Sequence, residues 1–175
     1  ISLGSAETTL LKLTSAYCSF ANGGKLIEPK LIDRIQDSEG NTIFKTEVRK
    51  CKNCGDISLQ SNDVPEIKDE SKQIFSPQTA YQITSILEGA TKTGTAKKLR
   101  DLRMDLAGKT GTTNKNTDTW FIGFTSDLVI GVYVGYDEPK SLGKFETGAK
   151  TAMPIFKSFI KLALKKENTR PFKVP

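Results

Sequence analysis

The sequence predicts an α+β domain: an antiparallel sheet with helices over both of its faces. Three observations predict it. Three apolar runs follow one another closely, Asp105 to Thr113, Thr119 to Thr125 and Leu128 to Tyr136, and Ser126-Asp127 joins the last two so tightly that they are antiparallel neighbours. Within these runs Trp120-Phe121-Ile122 and Val129-Ile130 are apolar on consecutive positions, so the strands are buried on both faces. Stretches of helical periodicity stand on either side of the runs and supply the cover.

The elements follow in order. Thr9 caps a helix whose Leu10, Leu13, Tyr17 and Phe20 recur at helical spacing, and Asn22-Gly23-Gly24 stops it. Leu31 to Gln36, a Ser38-Glu39-Gly40-Asn41 turn and Thr42 to Val48 read as a hairpin. From about Arg49 to Gln73 the chain is polar and aperiodic, a long excursion from the core, partly ordered at best. Ser76 then caps a helix with Pro77 in its first turn, and Ala80, Ile83, Leu87 and Ala90 form its apolar stripe. A basic linker leads to the three strands. Pro154 opens a last helix, with Ile155, Phe159, Ile160, Leu162 and Ala163 expected inward and Lys157, Lys161 and Lys165 outward. The chain thus divides into a core helix (1–24), a hairpin and polar excursion (25–75), the main core (76–165) and a basic tail (166–175).

With 175 residues, 37% hydrophobic and 26% charged, the chain has an ordinary globular composition. No apolar run reaches the roughly 20 residues of a membrane helix, and no targeting segment is visible. The net charge of +6 is spread among paired acids except in the tail, so nucleic acid is not expected as a partner. The absence of histidine excludes Ser-His-Asp and Cys-His mechanisms within this chain and removes the commonest transition-metal ligand. Cys18 falls on the first helix beside Tyr17 and Phe20 and reads as a small core residue. Cys51-Lys-Asn-Cys54 is half a zinc site at most, so no metal and no cofactor are expected; in an oxidising compartment Cys51 and Cys54 would form a local disulfide closing a very short loop.

One motif carries chemistry. Lys109-Thr110-Gly111-Thr112 ends the first of the three strands, where an edge strand presents an ammonium, hydroxyls and an unpaired backbone N–H together, and Gly111 lets another backbone come close. A histidine-free serine acyl-transfer site needs that set: a cation to shift proton equilibria, hydroxyls for a carboxylate, an N–H for the oxyanion. A second copy, Lys92-Thr93-Gly94-Thr95, trails the end of a helix with no strand pattern, so Lys109 is the expected catalytic residue. Gly89 and Gly94 are followed by Thr95 in place of Lys, which excludes a phosphate-binding P-loop.

The motif's surroundings resemble a known family. Leu106-Ala107-Gly108-Lys109-Thr110-Gly111-Thr112-Thr113-Asn114, then Asp118-Thr119-Trp120-Phe121-Ile122-Gly123, then Leu128 to Pro139, are similar to the corresponding stretch of class A penicillin-binding proteins, the bifunctional peptidoglycan synthases. Leu3 to Thr9, Ser15 to Tyr17 and Phe20 to Gly24 resemble the helix after that family's second motif, and Glu146 to Ala149 with Ala152 to Phe156 match its ending. The resemblance covers about two thirds of the chain and leaves out the excursion around Cys51. It implies a β-lactamase/transpeptidase-like fold, with a five-stranded antiparallel sheet between helical layers and a separate helical subdomain. It implies a serine that attacks D-Ala-D-Ala stem peptides of peptidoglycan and is acylated by β-lactam antibiotics. Lys109 would then move protons, and Thr110, Gly111, Thr112 and Thr113 would contact the substrate or antibiotic, with the Thr112 N–H completing the oxyanion hole. It further implies a membrane-anchored parent in the bacterial cell envelope, this domain on the periplasmic side and a glycosyltransferase domain upstream.

The family's nucleophile motif, Ser-x-x-Lys, and its Ser-x-Asn precede the Lys-Thr-Gly strand, and neither occurs ahead of Lys109. Ser141 to Lys144 and Ser158 to Lys161 match Ser-x-x-Lys in the wrong order and are expected to face solvent. The chain is therefore expected to need the N-terminal half of its own domain as a partner, and not to be acylated by itself. A serine β-lactamase and a non-catalytic β-lactam sensor share the motif and the fold. The long segment from Gly24 to Ser76 and the ending Gly135-Tyr136-Asp137-Glu138-Pro139 favour the synthase.

Overall fold

The computed structural model describes residues 6–46, 51–52, 66–67, 71–164 and 170–175. In chain order the elements are α1 (Leu10–Ala21), β1 (Arg34–Gln36), β2 (Thr42–Lys45), β3 (Cys51–Lys52), β4 (Glu66–Ile67), α2 (Pro77–Lys92), β5 (Ala107–Thr112), β6 (Asp118–Phe124), β7 (Val129–Gly135) and α3 (Ala152–Ala163). They fall into two units, residues 28–72 and everything else.

The smaller unit holds two antiparallel strand pairs, β1 with β2 and β3 with β4. Asp37 makes the first turn: its carboxylate accepts the N–H groups of Glu39 and Asn41 at 2.9 and 2.8 Å and the Asn41 side-chain amide at 3.0 Å, while Gly40 supplies the positive φ of 87°. The Asn41 side chain, and then the Asn41 N–H, hold the Asp37 carboxyl below the usual carboxylate range. The Cys51–Cys54 disulfide expected from the sequence lies outside the described residues.

The larger unit is built on the sheet β5-β6-β7, antiparallel throughout. β6 is the middle strand, and Phe121, Ile122, Gly123 and Phe124 are all buried on it. Its two faces are covered by different helices. Phe121 and Gly123 meet α3: the Phe121 and Phe156 rings lie 4.8 Å apart, and a Cβ at Gly123 would sit 2.6 Å from the Phe156 ring. Ile122 and Phe124 face α1, with the Phe124 and Tyr17 rings edge to face at 6.3 Å and Gly131 bare beneath Thr14. Strands apolar on both sides thus have helices on both sides, as the consecutive apolar residues require. Three strands, against the five implied by the resemblance, form this sheet among the described residues.

Caps and starts follow the sequence. Thr9 Oγ1 accepts the Lys12 N–H at 3.3 Å, and Ser76 Oγ accepts the Thr79 N–H at 3.1 Å with Pro77 at the first helical position. Gly24 C=O accepts the N–H groups of Ile74 and Phe75 at 2.8 and 3.1 Å, so the chain re-enters the larger unit beside the point where it leaves.

α3 departs from the sequence reading. Its buried residues are Ala152, Met153, Phe156 and Ile160, whereas Ile155, Phe159 and Leu162, expected inward, are 51%, 54% and 88% exposed. The helix carries two apolar stripes, and periodicity cannot choose between them. Phe156 chooses, because Gly123 leaves a ring-sized space for it on the sheet. Cys18 is half-buried and free, and burial raises its thiol pKa.

Candidate active site

β5 is an edge strand, and its parity decides what it offers. The Thr113 N–H donates to Asp118 C=O at 3.0 Å, continuing the register in which Gly111 faces Trp120 and Lys109 faces Ile122. In an antiparallel ladder such pairs alternate. Lys109, Gly111 and Thr113 therefore turn their main-chain groups toward β6, while Leu106, Gly108, Thr110 and Thr112 turn theirs to the free side. Two contacts agree with that parity. Leu106 C=O accepts the Thr91 hydroxyl of α2 at 2.5 Å, and Thr110 C=O accepts the Lys109 ammonium at 2.8 Å. α2 thus covers the first part of the edge and leaves Thr110 and Thr112 beyond it.

The side chains converge on the same rim from both faces. Lys109 lies on the α1 face, is exposed, and folds its ammonium back to the edge at Thr110 C=O. Thr110 and Thr112 lie on the α3 face, opposite Phe121 and Thr119. Thr112 is exposed, and its hydroxyl accepts the N–H of Gly148 at 3.1 Å. Gly148 is seated so closely on the strand that a Cβ there would lie 2.5 Å from Trp120 C=O and 2.6 Å from Gly111 C=O. A cation, two hydroxyls and the outward N–H groups of Thr110 and Thr112 are thereby gathered within four residues, the set that holds a carboxylate and an oxyanion.

Thr113, expected among the substrate contacts, is engaged elsewhere. Its Oγ1 accepts the Asp118 N–H at 2.8 Å and pairs with Thr117 Oγ1 at 2.8 Å, closing the β5–β6 turn. That turn places Lys115 and Asn116 at φ 64° and 54°, and Asn116 is tied to the next loop by Leu142 N–H at 2.8 Å. Trp120 packs against Tyr133, ring centroids 4.7 Å apart, and the Tyr133 hydroxyl donates to Asp118 at 2.8 Å, which raises the phenol's pKa. Ser141 is exposed in a loop and Ser158 is exposed on α3. Among the described residues no group of three or more His, Cys, Asp or Glu side chains is placed to hold a metal.

Sequence reasoning passed over two residues here. Thr95, in the discarded copy of the motif, has its hydroxyl 3.2 Å from that of Thr110. Gly148 sits over the strand from the loop before α3. The duplicated tetrapeptide was the visible signal for the first; the second lies in Glu146 to Ala149, which the resemblance marks without giving it a place at the strand.

Comparisons with known proteins agree on one family. Residues 1–161 match the description "Penicillin binding protein transpeptidase domain". Penicillin-binding protein 1A of Rickettsia prowazekii (strain Madrid E) is 46% identical over 177 residues, covering 99% of this chain and 22% of that protein. The protein of the same name from Neisseria lactamica is 37% identical over 177 residues, covering 100% of this chain and 20% of its own. The crystal structure of penicillin-binding protein 1A from Haemophilus influenzae superposes with a TM-score of 0.82 at 32% identity, over 99% of this chain and 29% of that one. The helix-covered antiparallel sheet is therefore that of the β-lactamase/transpeptidase fold. The chain belongs to the penicillin-binding protein transpeptidase family, as part of the transpeptidase domain of a class A member. It spans about a fifth of the length of the curated relatives it matches.

Proposed function

We propose that the protein containing this chain is a bacterial peptidoglycan synthase, and that this chain supplies the Lys-Thr-Gly-Thr strand of its serine D-Ala-D-Ala transpeptidase site. The observation that carries the reading is the rim of β5, where the Lys109 ammonium, the Thr110 and Thr112 hydroxyls and the outward Thr112 N–H stand together. A stem peptide ending in D-Ala-D-Ala offers a terminal carboxylate beside the peptide bond under attack, and a β-lactam offers a carboxylate beside its strained amide. Thr110 and Thr112 hold that carboxylate. The Thr112 N–H stabilises the oxyanion formed when the serine adds to the carbonyl, and loss of one such donor typically slows acyl transfer about 10²–10³-fold. Lys109 assists proton transfer, and Gly111 lets the substrate backbone lie along the strand. Thr113 holds the turn that ends the strand.

The nucleophilic serine comes from the rest of the domain, and a glycosyltransferase domain stands upstream in the same polypeptide. The protein is anchored in the inner membrane with this domain on the extracytoplasmic side; among the described residues no helix is long and apolar enough to cross a membrane. Synthesis is favoured over β-lactamase or sensor activity by relatives 37–46% identical across the chain that bear the name penicillin-binding protein 1A.

Two experiments test this. The intact protein is expected to be labelled covalently by a fluorescent penicillin, to release it slowly, and to cross-link stem peptides with loss of D-Ala; rapid penicillin turnover without cross-linking would make it a hydrolase. The 175-residue chain by itself is expected to take no label, and labelling would mean that it carries a nucleophile of its own.

A further inference from the structure

Both hydroxyls at the rim of β5 have a partner, and neither partner belongs to the strand. Thr112 Oγ1 accepts from the Gly148 N–H at 3.1 Å. An N–H can only donate, so this contact occupies a lone pair and leaves the Thr112 proton for something outside. Thr110 Oγ1 lies 3.2 Å from Thr95 Oγ1, and there either oxygen could donate. The direction is fixed once an anion arrives. If Thr110 donates to Thr95, it turns lone pairs toward the carboxylate; if Thr95 donates to Thr110, the Thr110 proton points to the carboxylate, and the chain O–H···O–H···O⁻ strengthens both bonds.

Thr95 is held where it can do this. Gly94 N–H donates to Gly89 C=O at 3.2 Å and Ala96 N–H to Ala90 C=O at 3.0 Å, so the residue between them sits in a hydrogen-bonded turn at the end of α2. Ala96 is fully buried in the main core, and Thr91, one turn earlier, is bonded to the foot of β5 through Leu106 C=O at 2.5 Å. α2 and its C-terminal turn are thereby indexed against the strand on both sides of Thr95, which delivers a hydroxyl to Thr110 from 15 residues away in sequence.

We propose that Thr95 is a positioning residue of the acyl-transfer site: its hydroxyl donates to Thr110 and so turns the Thr110 proton toward the carboxylate of the stem peptide or β-lactam, as the Gly148 N–H does for Thr112. This rests on the reading of Thr110 as a carboxylate contact. Thr95 touches neither the substrate nor the reacting atoms.

The test is a double-mutant cycle in the intact protein, read as the second-order rate of acylation by a carboxylate-bearing fluorescent penicillin. Thr95→Val is expected to slow acylation about tenfold, the upper end for one neutral hydrogen bond, here in a chain that ends on a carboxylate, through weaker binding and with little change in the limiting acylation rate. Thr95→Ser, which keeps the hydroxyl, should remain within twofold of the unaltered protein. In a Thr110→Val background, Thr95→Val should cost less than twofold, because its acceptor is gone. Thr95→Ala replaces the valine variant should that one fold poorly. An unchanged rate in Thr95→Val, an equal loss in Thr95→Ser, or a loss that persists in the Thr110→Val background overturns the proposal. Lys109→Ala keeps the two layers apart: if it acylates at full speed, the site assignment fails and this proposal with it, whereas a slow Lys109→Ala beside a normal Thr95→Val removes the Thr95 role alone.

Discussion

The same four residues occur twice in this chain and do two different things. Lys92-Thr93-Gly94-Thr95 ends a helix. Lys92 pairs with Glu88 one turn back at 2.7 Å, Thr93 returns its N–H to Gly89 C=O at 2.9 Å and its hydroxyl to the same carbonyl at 3.2 Å, and Gly94 follows in a tight turn. Lys109-Thr110-Gly111-Thr112 lies extended along an open sheet edge, with its ammonium, hydroxyls and alternate N–H groups directed outward. In the first copy the Lys92 ammonium, the Thr93 N–H and hydroxyl and the Gly94 N–H are bonded back to the last turn of the helix, while the hydroxyl of Thr95 reaches Thr110. In the second, the strand partner takes only half of the main-chain groups, and of the outward ones Thr110 C=O accepts the Lys109 ammonium. A motif of this kind therefore describes a backbone, and its residue types have chemical meaning only once the backbone is known.

The sharpest way to break this comparison is to remove each lysine. Lys109→Ala is expected to slow penicillin acylation of the intact protein by about 10²–10⁴-fold, the scale of a lost proton-transfer group. Lys92→Ala, which loses an exposed helical pair with Glu88, should stay within twofold. Comparable losses from the two substitutions would mean that the helical copy takes part in the chemistry.

The glycines should behave in the opposite order. A Cβ added at Gly94 would lie 2.9 Å from Ala90 Cα and 3.0 Å from its carbonyl oxygen, all rigid backbone, whereas at Gly111 the nearest atom is Trp120 Cβ at 3.2 Å. Gly94→Ala is expected to destabilise the domain by about 1–3 kcal/mol, in the range of overpacking, and Gly111→Ala by less, both read from thermal unfolding of the intact protein. Gly111→Ala should instead show its effect on acylation. A larger loss of stability at Gly111 would mean that its glycine is there for the sheet and not for the ligand.

Much of this was legible beforehand, for identifiable reasons. The strands could be read because Trp120-Phe121-Ile122 has no polar alternation, and the helix starts because Thr9 and Ser76-Pro77 are local signals with local causes. The strand copy of the motif could be told from the helical copy by the apolar residues before it and the Trp-Phe-Ile strand after it. What could not be read depends on contacts between distant residues. The inward face of α3 is chosen by Phe156 entering the space over Gly123, 33 positions away, and periodicity contains no such information. The Thr113 hydroxyl is engaged by Asp118 and Thr117 in a turn with two non-glycine residues at positive φ. Thr95 acquires its place from the packing of α2 on β5.

The weakest expected effect concerns how the segment after the helical copy is held. The short helical turn Lys97–Leu102 is tied to α3 by Lys157, whose ammonium reaches Asp101 at 2.5 Å and Lys98 C=O at 2.9 Å. Lys157 holds the Asp101 carboxyl below the usual carboxylate range, through its hydrogen bond first and its charge second. A carboxyl with a depressed pKa in the folded state stabilises the fold above its unfolded value of about 3.9, and that contribution is lost as pH falls from there through the lower folded value. Asp101→Asn should therefore lower the thermal midpoint slightly near pH 6 and converge with the unaltered protein in strong acid, the exposed position keeping the difference small. The strand copy, whose hydroxyls and amide carry no titrating partner in this pair, should acylate at the same rate in both. A change in acylation of Asp101→Asn at neutral pH would mean that the anchoring of residues 97–102 to α3 also sets the position of Thr95, and would join the two copies of the motif more tightly than a single hydroxyl contact does.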